Sequence, residues 1–221
     1  WAKSNDPECT ENASRLLEEM WRRYKEDGDK DLAPDIVSYA CLVDAWVRSP
    51  RTEAGKEAEN ILSEMWKEHK AHPELNIKPV ARVYNSVMYA WLKGDNPNGI
   101  ENAWRILEEM WGKYREDGDK TVAPDIFSYS NLMEAWCRRK SNPDAGKEAE
   151  SVLSEMWKMH KAHPELNIKP SKRCYSSTMR AWIESGDPQG PENAFRLIEE
   201  MWRRYQDEDT RASNIIDYLY L

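Results

Sequence analysis

No window of this 221-residue chain approaches the roughly 18 uninterrupted apolar residues of a membrane-spanning helix, so the sequence predicts none and no membrane partner. The first residues carry neither a basic stretch followed by an apolar core nor an Arg-rich, acid-poor leader. No targeting segment is visible, although the sequence starts at Trp1 rather than Met, so a removed leader stays open. Cysteine is scarce: Cys9, Cys41, Cys137 and Cys174 are widely separated, and no CxxC pair offers a zinc or redox motif. A reducing compartment follows, with Cys41 and Cys137 expected to act as small hydrophobes inside helices. Also missing are a nucleophile elbow, a Gly-rich phosphate loop and any His–carboxylate–Ser/Cys set, which argues against an enzyme, a cofactor or a small-molecule substrate.

What is present is charge and large aromatics. A third of the residues are charged and the net charge is -8, yet eleven Trp and ten Tyr supply more apolar surface than a disordered chain carries. The expectation is a folded, surface-charged protein.

The dominant signal is an internal repeat. Tyr39, Tyr84, Tyr129 and Tyr175 recur at intervals of 45, 45 and 46, and Trp46, Trp91, Trp136 and Trp182 follow each by seven. Met20, Met65, Met110, Met156 and Met201, each followed by Trp, keep the period, as do Pro34, Pro79, Pro124 and Pro170. Each unit reads as two helices. The first is expected to begin at the repeated Pro, whose fixed φ suits an opening turn, and carries a stripe such as Tyr39, Val43 and Trp46. The second places Ala58, Leu62, Met65 and His69 on one face. A pair this small cannot bury its stripe alone, so neighbours must stack, with Trp and Met filling the seams.

The predicted fold is therefore all-α: a right-handed superhelical solenoid of tandem antiparallel helix pairs. The expected organisation is a half repeat (second helix only) and linker over 1–33, repeats over 34–78, 79–123, 124–169 and 170–208, and a C-terminal tail or cap over 209–221. A first helix is missing from the opening half repeat, which reads as a segment of a longer array. A longer period overlies the first. Residues 54–79 and 145–170 differ only at Asn60/Ser151, Ile61/Val152 and Glu68/Met159, so the repeats alternate between two types. That implies duplication of a two-repeat block, or deliberate design.

Two local motifs invite metals. His69 with His72 and His160 with His163 have a spacing that can share an ion, but each pair lies at a helix end without a third ligand, where a cation favours the dipole. Glu26-Asp27-Gly28-Asp29 and Glu116-Asp117-Gly118-Asp119 lack the ligand order of an EF-hand loop, and Gly28 and Gly118 read as left-handed helix ends. No metal site is expected. Over the first helices, taken as 35–51, 80–94, 125–140 and 171–184, there are ten Lys/Arg and five Asp/Glu, a net of +5 in a chain of -8. If those helices line an inner face, an acidic protein presents a mildly basic groove there.

The run Pro-Asp-Ile-Phe-Ser-Tyr-Ser-Asn-Leu-Met-Glu-Ala-Trp (124–136), then Ala-Glu-Ser-Val-Leu-Ser-Glu-Met (149–156) and Ile-Lys-Pro (168–170), resembles the pentatricopeptide repeat, in a variant about ten residues longer than usual. The HEAT and tetratricopeptide classes remain structural alternatives. The resemblance implies binding of single-stranded RNA in a mitochondrion or chloroplast, about one base per repeat. Carried over by position, the base-reading pairs are Ala40 with Val80, Asn85 with Asp125 and Ser130 with Ser171, with Ser176 unpaired. Asn85 and Asp125 resemble a uracil-preferring pair, and Ala40 with Val80 offers a base no hydrogen bond. The base-flanking positions are Val37, Arg82, Phe127 and Arg173; Lys93, Arg138, Arg139, Lys140, Lys172 and Arg180 are the candidates for phosphate. A protein-interaction scaffold or a structural subunit of a larger assembly is the rival reading, because helical repeats serve both ends.

Overall fold

A computed structural model describes residues 8–93 and 96–206 of the chain. Among them every regular element is helical. The α-helices are α1 (Cys9–Arg22), α2 (Ile36–Arg48), α3 (Ala54–Ala71), α4 (Ala81–Leu92), α5 (Gly99–Asp117), α6 (Ile126–Arg138), α7 (Ala145–Ala162), α8 (Lys172–Glu184) and α9 (Gly190–Gln206). A π-helical turn continues α1 over Arg23–Asp27, and a short 3-10 turn spans Lys30–Leu32. One long helix thus falls in the opening half repeat and two in each full repeat. The expected tail over 209–221 lies outside the described residues.

Packing divides the chain into two units, Trp1–Leu132 and Met133–Leu221. In the first, each helix from α1 to α5 lies against the next, and α2 also touches α4, so successive first helices are neighbours. In the second, α7 packs on α8 and α8 on α9. Cys137, Ala149 and Ala181 form a small buried cluster there, with Trp136 against it.

The core is the periodic set. Tyr39, Tyr84, Tyr129 and Tyr175 are fully buried, as are Met65, Met110 and Met156. Each such methionine contributes roughly 1.5–3 kcal/mol by leaving water. A buried phenol needs a polar partner, and the repeat supplies it twice. The Trp after each repeated Met donates its indole N–H to the Tyr 18 residues later: Trp21 to Tyr39 (2.9 Å), Trp66 to Tyr84 (2.7 Å), Trp111 to Tyr129 (3.0 Å) and Trp157 to Tyr175 (2.9 Å). The hydroxyl then donates onward to a Glu of its own repeat, Tyr39 to Glu64 (3.3 Å), Tyr84 to Glu109 (3.0 Å) and Tyr175 to Glu200 (3.3 Å). One relay thus ties a second helix to the following helix pair. Burial pushes the hydroxyls of Tyr39, Tyr84 and Tyr175 well above the ordinary phenol range, so they stay protonated donors.

The alternation of repeat types has a steric counterpart. Trp91 lies against Gly55 so closely that a Cβ there would stand 2.5 Å from its ring and 2.9 Å from its Cα, and Gly146 is equally crowded by Trp182. Each of these indoles donates to a Glu on the glycine's helix, Trp91 to Glu59 and Trp182 to Glu150, both at 2.9 Å. Arg105 and Arg196 approach the same carboxylates at 2.7 Å.

Two sequence expectations need correction. Each repeated proline is buried two residues before the first residue of its helix rather than in the opening turn. Asp35 caps α2, accepting from the Ser38 amide at 2.8 Å, and Ser171 caps α8. At α2 a side-chain oxygen satisfies an orphan N–H that proline cannot, which puts Asp35 at the cap and Pro34 outside it. The first amides of α2 and α4 find carbonyls further along the chain, Ile36 N–H donating to Asn76 and Ala81 N–H to Thr121, each at 2.7 Å. Cys41 is exposed, unlike Cys137, because the buried stripe of α2 runs through Tyr39, Leu42 and Val43 and leaves position 41 outside it. All four cysteines are free. Gly28 and Gly118 adopt φ of 68° and 67° and end their helical segments in the left-handed conformation, as expected.

Candidate functional site

The first turns of the first helices are where side chains leave the core and face solvent. Val37 and Phe127 are 61% and 62% exposed, Arg82 and Arg173 are exposed at the corresponding positions, and none of the four is needed by the Tyr–Met core.

In the first unit, four of the residues named from the sequence come together. Arg82, Asn85, Asp125 and Phe127 line one open cavity of about 410 Å³, joined by Val47 from α2, Ser86 and Tyr89 from α4 and Asn131 from α6. Asn85 Nδ2 donates to Asp125 Oδ1 at 3.0 Å. The Ser128 hydroxyl donates to Asn85 Oδ1 at 2.7 Å, and Asn131 Nδ2 reaches the Asn85 carbonyl at 3.2 Å. Asp125 Oδ1 also accepts the amides of Phe127 (2.8 Å) and Ser128 (3.1 Å), which fixes the carboxylate at the head of α6. Every described bond to this carboxylate falls on Oδ1; Oδ2 takes none among the described residues. The rim therefore offers a positioned acceptor, an amide held in one orientation, an exposed aromatic ring and a guanidinium. These are groups suited to a flat, hydrogen-bonding ligand.

Val47, Ser86, Tyr89 and Asn131 were missed from the sequence. Ser86, Tyr89 and Asn131 lie four residues after Arg82, Asn85 and Phe127, so the helical i,i+4 rule applied to the named positions would have found them.

The other sequence-named positions take the following places. Ala40 is half-buried and Val80 is the residue capping α4, without a side-chain hydrogen bond. Ser130 belongs to the first unit and Ser171 to the second, where the Ser171 hydroxyl meets Cys174 Sγ at 3.5 Å. The Ser176 hydroxyl donates back to the Lys172 carbonyl at 3.1 Å. Of the cations, Lys93 donates to the carbonyls of Val47 (2.9 Å) and Ser49 (3.1 Å), closing the end of α2. Arg180 forms a two-pronged pair with Glu134 at 2.8 and 2.9 Å and reaches Cys137 Sγ at 2.5 Å. Burial pushes the Cys137 thiol up, which keeps it neutral. Lys140 stands 3.3 Å from Glu184, and Arg139 lies over the Trp136 ring. Arg138 is exposed; so are Lys172 and Arg173, which have no partner from their side chains among the described residues.

The histidine pairs are packing and surface groups. His69 and His160 stand edge-on to Trp66 and Trp157, and His72 and His163 lie 3.3 Å from Glu74 and Glu165. Among the described residues no group of three or more His, Cys, Asp or Glu side chains could hold a metal, and no helix is long and apolar enough to cross a membrane. No protein-family model and no curated protein matches the chain.

Proposed function

We infer that the chain forms a right-handed superhelical solenoid of antiparallel helix pairs and binds single-stranded RNA through its first helices, as a non-enzymatic scaffold in organellar RNA metabolism. The observation that carries this reading is the convergence of Arg82, Asn85, Asp125 and Phe127 on one cavity. They are the positions at which the pentatricopeptide resemblance expects a base to be read and flanked.

In this reading a base lies against the Phe127 ring, with Arg82 on the neighbouring side. Stacking on an aromatic is worth about 1–3 kcal/mol per base. The Asn85 amide and Asp125 Oδ2 meet the base edge, the donor–acceptor combination that the pentatricopeptide resemblance associates with uracil. Arg138 and Lys172 are the exposed candidates for the phosphates. The test is binding to pooled single-stranded RNAs over a salt series. Affinity should be base-selective, fall with salt, and weaken for Arg82→Glu or Phe127→Ala. Absence of binding at low salt removes the reading.

A specific observation favours the rival, a protein-interaction scaffold or structural subunit. Lys93, Lys140 and Arg180 are already paired within the chain, and the whole carries -8, so fewer cations are left for a polyanion than the sequence promised. A protein partner is then the outcome to pursue if RNA fails.

A further inference from the structure

The Asn85 amide is held at both of its ends, and the chemistry of its two partners fixes which end is which. Asp125 Oδ1, 3.0 Å away, can only accept, so the amide turns its NH2 towards it. The carbonyl end then faces Ser128, whose hydroxyl donates to Asn85 Oδ1 at 2.7 Å. Ser128 is fully buried, and its oxygen also accepts the Asp125 amide N–H at 3.1 Å. A hydroxyl has a single hydrogen to give. At the head of α2 that hydrogen stays local: the Ser38 hydroxyl donates to Asp35 Oδ1 at 2.7 Å. At the head of α6 the matching distance, Ser128 to Asp125 Oδ1, is 3.3 Å, and the hydrogen goes to Asn85 of α4 instead.

Repeat register shows these three positions changing together. One repeat before Asn85, Asp125 and Ser128 the set is Ala40, Val80 and Val83, wholly apolar; one repeat after, it is Ser130, Ser171 and Cys174. The Asn amide thus occurs in the set that supplies both an acceptor for its N–H and a donor for its carbonyl. With the carbonyl spent on Ser128 and one N–H on Asp125, Asn85 keeps one N–H for a ligand, and Asp125 keeps Oδ2. The site offers one donor beside one acceptor and withholds a second acceptor. A ring edge with a carbonyl next to an N–H, as in uracil, satisfies both. An exocyclic amine carries two hydrogens, so it is the group that gains when the Asn85 carbonyl is released.

We propose that Ser128 is a positioning residue for base choice: acting through Asn85, it holds the amide as a donor and so selects uracil over the amino-bearing cytosine. This rests on the RNA reading of the cavity around Arg82, Asn85, Asp125 and Phe127. Ser128 is buried behind Asn85 and does not line that cavity, so it never touches the base. Without its hydroxyl, Asn85 Oδ1 has lost its donor, and the amine of a cytosine replaces it.

The test is fluorescence anisotropy of oligouridine and oligocytidine of equal length, read as the ratio of their affinities for the full chain. A ratio cancels any difference in the folded fraction between variants. The parent should favour oligouridine. Ser128→Ala should move the ratio towards oligocytidine by about fivefold, the weight of one ordinary hydrogen bond. Ser128→Cys should move it the same way, and a thiol fits this place, since Cys174 occupies it at the head of α8. Ser128→Thr keeps the hydroxyl and should keep the parent ratio. An unmoved ratio in Ser128→Ala and Ser128→Cys, with both affinities lowered alike or unchanged, overturns the proposal and leaves Ser128 as a helix-cap residue. A Ser128→Thr ratio that follows Ser128→Ala overturns it as well. Both of these outcomes leave the RNA reading standing, whereas a parent that binds neither RNA, or binds both alike, overturns that reading and this inference with it.

Discussion

Tyr84→Phe removes one oxygen from a fully buried ring and nothing else. That oxygen accepts from Trp66 at 2.7 Å and donates to Glu109 at 3.0 Å. Losing the acceptor leaves a part-buried indole N–H unpaired, which costs about 1–2 kcal/mol beyond the shape-neutral change. Glu109 reaches solvent and can rebind water, so the second bond adds roughly 0.5 kcal/mol. A destabilisation of about 2 kcal/mol follows. In urea, at a slope near 2 kcal/mol/M, the midpoint should fall by about 1 M with the slope unchanged. Unfolding followed by circular dichroism and by tryptophan fluorescence measures it. A double-mutant cycle with Trp66→Phe isolates the shared bond and should return a coupling of about 1 kcal/mol. A Tyr84→Phe chain within about 0.5 kcal/mol of the parent, or a vanishing coupling, would refute the claim that this relay stabilises the stack.

Two glycines give a contrast of sign. Gly55→Ala drives a methyl into Trp91 and should destabilise by about 1–3 kcal/mol, while Gly112→Ala, with nothing within 4 Å in the middle of α5, should stabilise by about 0.5–1 kcal/mol; thermal melts of both decide. The ammonium of Lys78, 2.7 Å from Asp119, holds that carboxyl at about 2 against an ordinary 3.8. A depressed carboxyl adds stability above the ordinary value that is lost as pH falls from 3.8 towards 2, so Lys78→Met should raise the Asp119 titration midpoint in an NMR titration and shrink that acid loss; an unmoved midpoint contradicts the pairing. For Asn85→Ser, base preference should change at one position of a bound RNA while affinity for the remaining positions is kept.

Periodicity made most of the fold legible. Tyr39, Tyr84, Tyr129 and Tyr175 with Met65, Met110 and Met156 are buried as their interval predicted, whereas the periodic Trp residues are mostly half-buried. Helix starts were less legible. Proline's fixed φ suits a first turn, but at α2 the Asp35 side chain takes the cap and leaves Pro34 outside it. At the site, the pentatricopeptide resemblance, carried over by repeat position, named Arg82, Asn85, Asp125 and Phe127. It could not find the fate of the cations. Arg180 meets Glu134 across 46 residues and Lys93 meets Val47 across the same distance, pairings that only the packing of neighbouring first helices creates. Nor could it tell Cys41 from Cys137, which differ in the side of the helix they occupy rather than in local composition.

The RNA reading rests on one cavity, so its most direct test is fluorescence anisotropy of short single-stranded RNAs that differ in one base. The parent chain is compared with Asn85→Ser and Arg82→Glu at low and at physiological salt. The account predicts a uracil preference that Asn85→Ser alters, together with an affinity that salt and Arg82→Glu both lower. Equal binding of every base before and after Asn85→Ser, or no binding at low salt, would contradict it.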